Sequence, residues 1–273
     1  MSLKEKVMVV NLSISQWTAR KYDEKVSHEV ETIHNAKEAG RFNKILLQSK
    51  VLKDIAKTAT KARLFHYENT LPWGDNGDRI LPCEKYFDYV TSIGNLKMEY
   101  VQFVDTFIEE YAEEKEKAKV RLNTMYKESD YPDPQRLRKK FDIIVSFMPI
   151  AESDDLRVNL SDSVTDKIKK QITVDLQNRV EACTIELLDR LKTAVGHMAE
   201  TLQEPDKIFR DSLVENIQTL TETLPLLNFN NDERVNEAID LCKSLIIDAD
   251  SLRYNRKIRK EYAKKAQQIL QNI

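Results

Sequence analysis

The first histidine-bearing segment of the chain carries residue types that hold catalytic metals, but not at the spacing that metal binding needs. His28 and Glu29 begin like the HExxH helix of a metalloprotease, yet Thr32 stands where the second histidine ligand would be. Glu31 and His34 form a single ExxH unit, whereas a di-iron helical bundle needs a second such unit and further glutamates. We therefore expect surface or capping histidines here, and neither a metal nor another cofactor.

The turn-rich segment Leu71–Pro82 is the second place where chemistry could lie. Consecutive turn signals interrupt the helical pattern, and Asp75, Asn76 and Asp78 superficially suggest a calcium loop. The EF-hand pattern of alternating oxygen ligands, a central glycine and a terminal glutamate is absent. Trp73 then has two interpretations: it packs against helices within a structured turn, or it is exposed and anchors a binding partner. The residues that would contact such a partner are Trp73, Asp75, Asn76, Asp78 and Arg79.

An enzymatic site in the same region is an alternative. His66 and Glu68 precede the loop, so acid–base or metal-dependent chemistry between His66 and Asp78 is conceivable. No phosphate-binding GxxxxGK[ST], dinucleotide-binding GxGxxG or nucleophile-bearing GxSxG sequence accompanies them. We therefore predict a protein that is not an enzyme.

The C-terminal part of the chain concentrates positive charge. Between Arg253 and Lys265 seven arginines and lysines stand against Glu261 alone, which leaves a local charge of +6. This surface is either a solvated helix face or a face that contacts phosphates or an acidic partner. The candidate residues are Arg253, Arg256, Lys257, Arg259, Lys260 and Lys264.

Two further charge clusters have opposite signs. Arg136, Arg138, Lys139 and Lys140 form a second basic run, whereas the segment from Glu109 to Glu116 is strongly acidic. Opposite fields on one protein suit self-association or a charged partner. The formal net charge of −2 argues against electrostatic binding of nucleic acid by the protein as a whole.

Composition narrows the class of protein. The chain has 273 residues, of which 32% are charged and 41% apolar, and only 5 Gly and 7 Pro, which disfavours turn-rich β-sandwiches and barrels. Its three cysteines are far apart and form no CxxC pair, so we expect neither a disulfide framework nor a zinc site. No signal peptide and no membrane span are recognisable, so we expect a cytoplasmic protein without a membrane partner.

Hydrophobic periodicity predicts a small sheet among helices. Alternating apolar residues indicate strands at Val7–Ser15 and Phe141–Ile150, with a short third strand at Leu156–Asn159 as an option. Helical spacing of apolar residues indicates helices at the remaining segments. The shorter predicted helices are Asp23–Ala36, Phe42–Tyr67, Pro205–Pro225, Asp232–Ile247 and Ser251–Asn272.

Two predicted helices are long. Glu84–Lys127 has a heptad-like seam that includes Phe87, Val90, Val104 and Tyr111, and Ser161–Gln203 has an apolar stripe from Val164 to Leu202. Their similar lengths favour antiparallel packing that buries both stripes. The sequence thus predicts a mainly α (α+β) fold: an elongated helical bundle with two long antiparallel helices and a small β-sheet of two or three strands. We expect a single elongated domain, 1–273, with residues 1–160 and 161–273 as an optional subdivision.

Several strings of residues resemble a bacteriophage-encoded family of unknown function, and together they span most of the chain. The strings are LSISQWTARK at 12–21, AGRFNK at 39–44, FHYENTLPWGDNG at 65–77, YFDY at 86–89, HMAE at 197–200 and IFRDS at 208–212. Members of that family are encoded near a MoxR-type AAA+ ATPase and a protein with a von Willebrand A-type domain. The resemblance implies an accessory subunit or adaptor, and it implies no catalytic residues.

These observations together favour a non-enzymatic phage protein that binds other macromolecules. We expect it in the cytoplasm of the infected bacterium, acting in an AAA+ ATPase-linked assembly or on a host protein such as a defence component. Nucleic-acid binding through the basic C-terminal helix is the main alternative, and association of copies into a homo-oligomer is left open.

Overall fold

A computed structural model describes residues 2–273. With 66% helix and 10% strand, it confirms a mainly helical fold with a small antiparallel sheet. Among the described residues the helices are α1 (Leu3–Lys6), α2 (Glu24–His34), α3 (Lys50–Glu68), α4 (Tyr86–Leu122), α5 (Pro134–Arg138), α6 (Asp162–Gln203), α7 (Ser212–Leu227), α8 (Glu233–Lys243), α9 (Ala249–Tyr254) and α10 (Arg256–Asn272). The strands are β1 (Val7–Ser15), β2 (Arg20–Tyr22), β3 (Asn43–Ile45), β4 (Leu71–Pro72), β5 (Arg79–Pro82) and β6 (Asp142–Met148).

Within residues 2–273 no helix combines the length and the apolar composition that crossing a membrane requires.

The strands form a four-stranded sheet, in the order β4-β5-β1-β6, and a separate two-stranded ribbon of β2 and β3. The predicted strands at Val7–Ser15 and Phe141–Ile150 correspond to β1 and β6. The optional prediction of a third strand at Leu156–Asn159 is wrong. That segment follows a short 3-10 turn at Ser153–Asp155 and forms no strand. The third and fourth strands come instead from the predicted loop, because Leu71, Ile80 and Leu81 bury apolar side chains in the core.

The loop Leu71–Pro82 is therefore a hairpin of β4 and β5. The backbone N–H groups of Trp73 and Gly74 both donate to the carbonyl of Asp78, at 3.0 and 3.1 Å. Gly77 has φ +80°, a left-handed conformation in which a Cβ would be strained. The turn signals thus close a hairpin rather than a long irregular loop.

The chain divides into two compact units. Unit 1 comprises Met1–Asn11, Tyr67–Tyr89 and Ser146–Ile273, and unit 2 comprises Leu12–His66 and Val90–Val145. Each unit is thus built from segments that are far apart in the sequence.

The core of unit 1 is organised around the second half of α6, which packs against α7, α8 and α10. Buried members of the predicted α6 stripe begin at Cys183 and continue to Leu202. In the first half of the helix Val164 is exposed, and the other stripe members are only half-buried: Ile168, Ile172, Leu176 and Val180. The stripe was correctly placed on the helix but is buried over only part of its length. Antiparallel packing of the two long predicted helices stays a prediction.

The buried face of α4 differs from the predicted seam in both of its columns. In the first column Val104, Tyr111 and Ala118 are buried as expected, but Val90 is 38% exposed. In the second column Phe87 is 79% exposed. The buried second column consists instead of Ile93, Tyr100 and Phe107, each one residue before a predicted position. The large aromatic side chains of Tyr100 and Phe107 are buried in the core. The predicted seam was chosen by heptad spacing alone and did not take the size of these side chains into account.

Several predicted helix boundaries are wrong. The helix predicted from Phe42 begins only at Lys50, because residues 43–45 pair with β2, and the helix predicted from Pro205 begins at Ser212. The last predicted helix is interrupted at Asn255, whose side chain accepts hydrogen bonds from the N–H groups of Lys257 and Ile258 and so starts α10.

Candidate functional site

The tryptophan of the hairpin is engaged within unit 1. Trp73 is partly buried and packs against the apolar core, with the Arg179 guanidinium 5.6 Å from the centroid of its ring. Arg179 also donates to the carbonyl of Trp73, and Cys183 Sγ donates to the carbonyl of Pro72 at 3.4 Å. The structured-turn interpretation of Trp73 therefore fits these contacts better than that of an exposed anchor.

The other candidate residues of the hairpin divide into two groups. Asp78 accepts a hydrogen bond from Asn11 Nδ2 at 3.1 Å, and Arg79 donates to Thr70 Oγ1 and to the Thr70 carbonyl at 2.7 and 2.9 Å. Burial, and then the neighbouring Arg190, lower the pKa of Arg79. Asp75 and Asn76 are exposed at the tip, so they are the members that a partner can reach.

The region of the enzymatic alternative contains a buried histidine. His66 is 3% exposed, while Glu68 is exposed and its backbone carbonyl accepts a hydrogen bond from Arg190. Across residues 2–273, no group of three or more His, Cys, Asp or Glu side chains is placed to hold a metal ion.

The basic C-terminal segment uses much of its charge inside unit 1. Arg259 is buried, and its guanidinium donates to the carbonyls of Leu202, Thr201, Glu204 and Lys207 where α6 ends. It therefore caps the helix rather than facing solvent. This contact was missed in the sequence, because a run of cations does not reveal which member points inward.

Two more cations of this segment are paired with acids. Arg253 contacts Asp211 and Asp250, and the more exposed Arg256 contacts Asp206 at 3.2 Å. The exposed lysines Lys257, Lys260 and Lys264 remain, at a spacing that places them along one side of α10. The predicted surface for phosphates or an acidic partner is thus narrowed to these lysines, which we call the α10 lysine face.

Unit 2 contains a ribbon whose inner face is fixed by buried charge. Lys21 of β2 stands directly opposite Lys44 of β3, and both contact Asp130. The distances from Asp130 to the two Nζ atoms are 2.7 Å for Lys21 and 2.8 Å for Lys44. Lys44 is 2% exposed and also contacts Asp23 at 3.4 Å and the carbonyl of Met125 at 2.8 Å. The carboxylate of Asp130 thus offsets the repulsion of two facing lysines.

The opposite face of the ribbon lines a groove of about 620 Å³. Arg20 and Ile45 are cross-strand partners, so their side chains lie on the face away from Lys21 and Lys44. The start of α3 contributes further lining residues. We call this site the unit 2 groove; its lining is Gln16, Trp17, Thr18, Arg20, Ile45, Leu47, Gln48, Ser49, Leu52, Lys53, Ile55 and Ala56.

Aromatic packing holds Trp17 in the lining of this groove. Its ring centroid lies 6.3 Å from that of Phe107 and 6.2 Å from that of Tyr111. Ala19 has φ 51°, a left-handed conformation that an alanine adopts at a cost of about 1 kcal/mol, and its carbonyl accepts from the Leu46 N–H at 2.7 Å. This bend separates β1 from β2 and brings Trp17 and Arg20 to one site.

The unit 2 groove was not predicted from the sequence. Its strands have only three residues each, which is too short for an alternating pattern to stand out. The only available signal was Trp17, one of two tryptophans in the chain, beside the basic Arg20 and Lys21.

Comparisons of the chain with protein-family models, with curated proteins and with solved structures gave no match.

Proposed function

We propose that this chain is a non-enzymatic interaction protein that binds a segment of another protein in the unit 2 groove. The resemblance to the phage-encoded family supports a role as an adaptor in the infected bacterium, in an ATPase-linked assembly or against a host factor such as a defence component. The observation that carries the proposal is the groove itself, which combines an apolar floor with a polar rim.

The lining suits a peptide segment. Leu47 and Ile55 are buried below the groove, whereas Ile45 is 39% exposed and offers apolar surface to a ligand. Gln16 and Gln48 can exchange hydrogen bonds with a peptide backbone. Ligand sites commonly have volumes of about 300–1,000 Å³ with apolar walls and a few polar groups.

Photo-crosslinking tests this proposal in cells. A photoreactive residue at the groove position Gln48 is expected to capture a defined protein, whereas one at exposed Lys139, outside the groove, is not. Ile45→Asp is expected to weaken the capture about tenfold, because it places a charge on apolar contact surface. Capture that is equal at both positions, or insensitive to Ile45→Asp in a folded variant, would contradict the proposal.

A second candidate function is nucleic-acid binding by the α10 lysine face, favoured by its exposed cations. If Lys257, Lys260 and Lys264 each neutralise a phosphate, the logarithm of duplex affinity falls with the logarithm of salt with a slope of about −2.7. Triple replacement of these lysines by glutamate is expected to abolish the salt-dependent binding, as measured by fluorescence anisotropy of a labelled duplex. The matched control replaces Lys167, Lys169 and Lys170 of α6 by glutamate. A salt-independent affinity, or the same loss in the control, refutes this candidate.

A further inference from the structure

We infer that the segment bound in the unit 2 groove is acidic, with carboxylates flanking an apolar side chain. The inference rests on the proposed function and adds the chemistry of the partner. Its basis is the one-sided charge of the groove: among its lining residues Arg20 and Lys53 are cationic, and none is acidic.

Positive charge continues beyond the lining itself. Arg121 donates to the carbonyls of Ile45 and Leu46, both at 2.9 Å, which places a guanidinium beside the β3 end of the groove. Lys50 is exposed at the start of α3, close in sequence to Lys53. A carboxylate entering the groove therefore meets several cations without an acidic side chain in the lining to repel it.

The first turn of α3 carries positive charge, whereas the stability of a helix is favoured by negative charge at this end. Acidic residues are stabilising in the first turn of a helix, because the backbone N–H groups there carry partial positive charge. The helices α2 and α8 follow this rule with Glu24 and Glu233, whereas α3, like α5 and α10, has no acidic residue in its first turn, and it begins with a lysine. A bound carboxylate would offset this local repulsion.

The buried clamp on the other face of the ribbon fixes which residues face the groove. A shift of the β2–β3 register by one residue would turn Arg20 and Ile45 to the other face and expose the buried Lys44. The contacts of Asp130 with both lysines favour the observed register over this shift. Arg20 and Ile45 are thus held side by side, one suited to a carboxylate and the other to an apolar group.

The apolar part of the site favours an acidic peptide over a nucleic acid. Ile45, Leu47 and Leu52 line the groove beside the cations. In an extended peptide every second side chain faces the same way, so carboxylates two residues from an aliphatic side chain share its face and can reach the same surface. A phosphate backbone supplies the charge but no aliphatic group for this surface.

Selection from a random displayed-peptide library on the full-length protein tests the inference. The wild type is expected to enrich peptides with Asp or Glu on both sides of an apolar residue. The double variant Arg20→Glu with Lys53→Glu is expected to lose this enrichment. The control variant, Lys57→Glu with Lys139→Glu, reverses two exposed lysines of unit 2 that do not line the groove, and it is expected to retain the enrichment.

A selected peptide is then titrated against the protein, followed by Trp17 fluorescence in a Trp73→Phe background. Replacing its carboxylates by amides is expected to weaken binding at least about tenfold. Equal affinity of the two peptides overturns the acidic inference but leaves groove binding intact. Enrichment of the same peptides by the wild type and by an Ile45→Asp variant overturns groove binding as well, as does enrichment of no peptide. If a random single-stranded oligonucleotide displaces the bound peptide, and other carboxylate-bearing peptides do not, the groove is assigned to nucleic acid instead.

Discussion

Replacing Asp130 by asparagine is expected to lower the free energy of unfolding of unit 2 by about 3 kcal/mol, because the buried ammonium of Lys44 loses its nearest carboxylate. Lys44 is 2% exposed, and its remaining counter-charge would be the more distant Asp23, with only neutral acceptors besides, namely the new amide oxygen and the carbonyl of Met125. It would also face Lys21 across the ribbon without the intervening carboxylate.

Urea denaturation of single-tryptophan variants measures this loss. Trp17 belongs to unit 2 and Trp73 to unit 1, so Trp73→Phe leaves a reporter in unit 2 alone. The control is Glu109→Gln, which neutralises an exposed carboxylate in the same unit. If Asp130→Asn shifts the Trp17 transition no more than the control does, the buried charge cluster does not stabilise unit 2.

The same cluster sets the pH dependence of this stability. Burial alone would raise the pKa of Asp130, but hydrogen bonds from Lys21 and Lys44 outweigh it and lower that pKa. The contribution of Asp130 is thus fully present above the pKa of an unfolded aspartate, about 3.9, and is lost as the pH falls through the lower pKa of the folded state. Burial would lower the pKa of Lys44, yet Asp130 and Asp23 raise it, so its contribution is lost as the pH rises through that raised value. The acid-induced loss should be smaller in Asp130→Asn, measured by repeating the urea titrations across acidic pH.

Replacing Arg259 by alanine is expected to have a comparable effect on unit 1, also about 3 kcal/mol, since several carbonyls at the end of α6 lose a charged donor. Arg259 reaches the carbonyls of Thr201 and Lys207 at 3.0 and 2.9 Å, and its guanidinium lies 5.4 Å from the centroid of the Phe209 ring. Lysine cannot reproduce a planar group with several donors, so Arg259→Lys should recover only part of the loss.

Trp73 fluorescence in a Trp17→Phe background follows unit 1 during denaturation. Lys260→Ala is the matched control, because it removes the neighbouring exposed cation of α10. A midpoint for Arg259→Ala that coincides with that of Lys260→Ala would show that the capping contacts contribute little. An equal loss in the Trp17 signal of Arg259→Ala in the Trp73→Phe background would instead assign the effect to the whole chain.

Long periodic segments were predictable from the sequence, whereas contacts between distant segments were not. The helices α4 and α6 and the strand β1 follow from sustained apolar patterns, which need no knowledge of a partner. The ribbon was missed because Phe42 and Ile45 fit a helical stripe as well as a strand. What decides for the strand is the pairing with β2 and the contact of Lys44 with Asp130, far along the chain.

The candidate sites show the same limit. The excess of positive charge near the C-terminus was predictable from the sequence. Which of these side chains are exposed was not predictable, because Arg259 is buried against α6 whereas Lys257 and Lys260 face solvent. The unit 2 groove had no local signature. Its lining comes from the bend after β1, from the end of β3 and from the start of α3, and only the folded ribbon brings them together.

The interleaved composition of the two units bears on how the protein is made on the ribosome. All residues of unit 2 have been synthesised once Val145 is added, whereas unit 1 needs α10, which packs on α6 in its core. Residues 7–11 of β1, which belong to unit 1, are made early. The core that contains Val7 and Val9 is complete only once α7, α8 and α10 have been made. Unit 2 can therefore fold during translation, and the apolar side chains of the early unit 1 segments stay exposed to chaperones until α10 has been made.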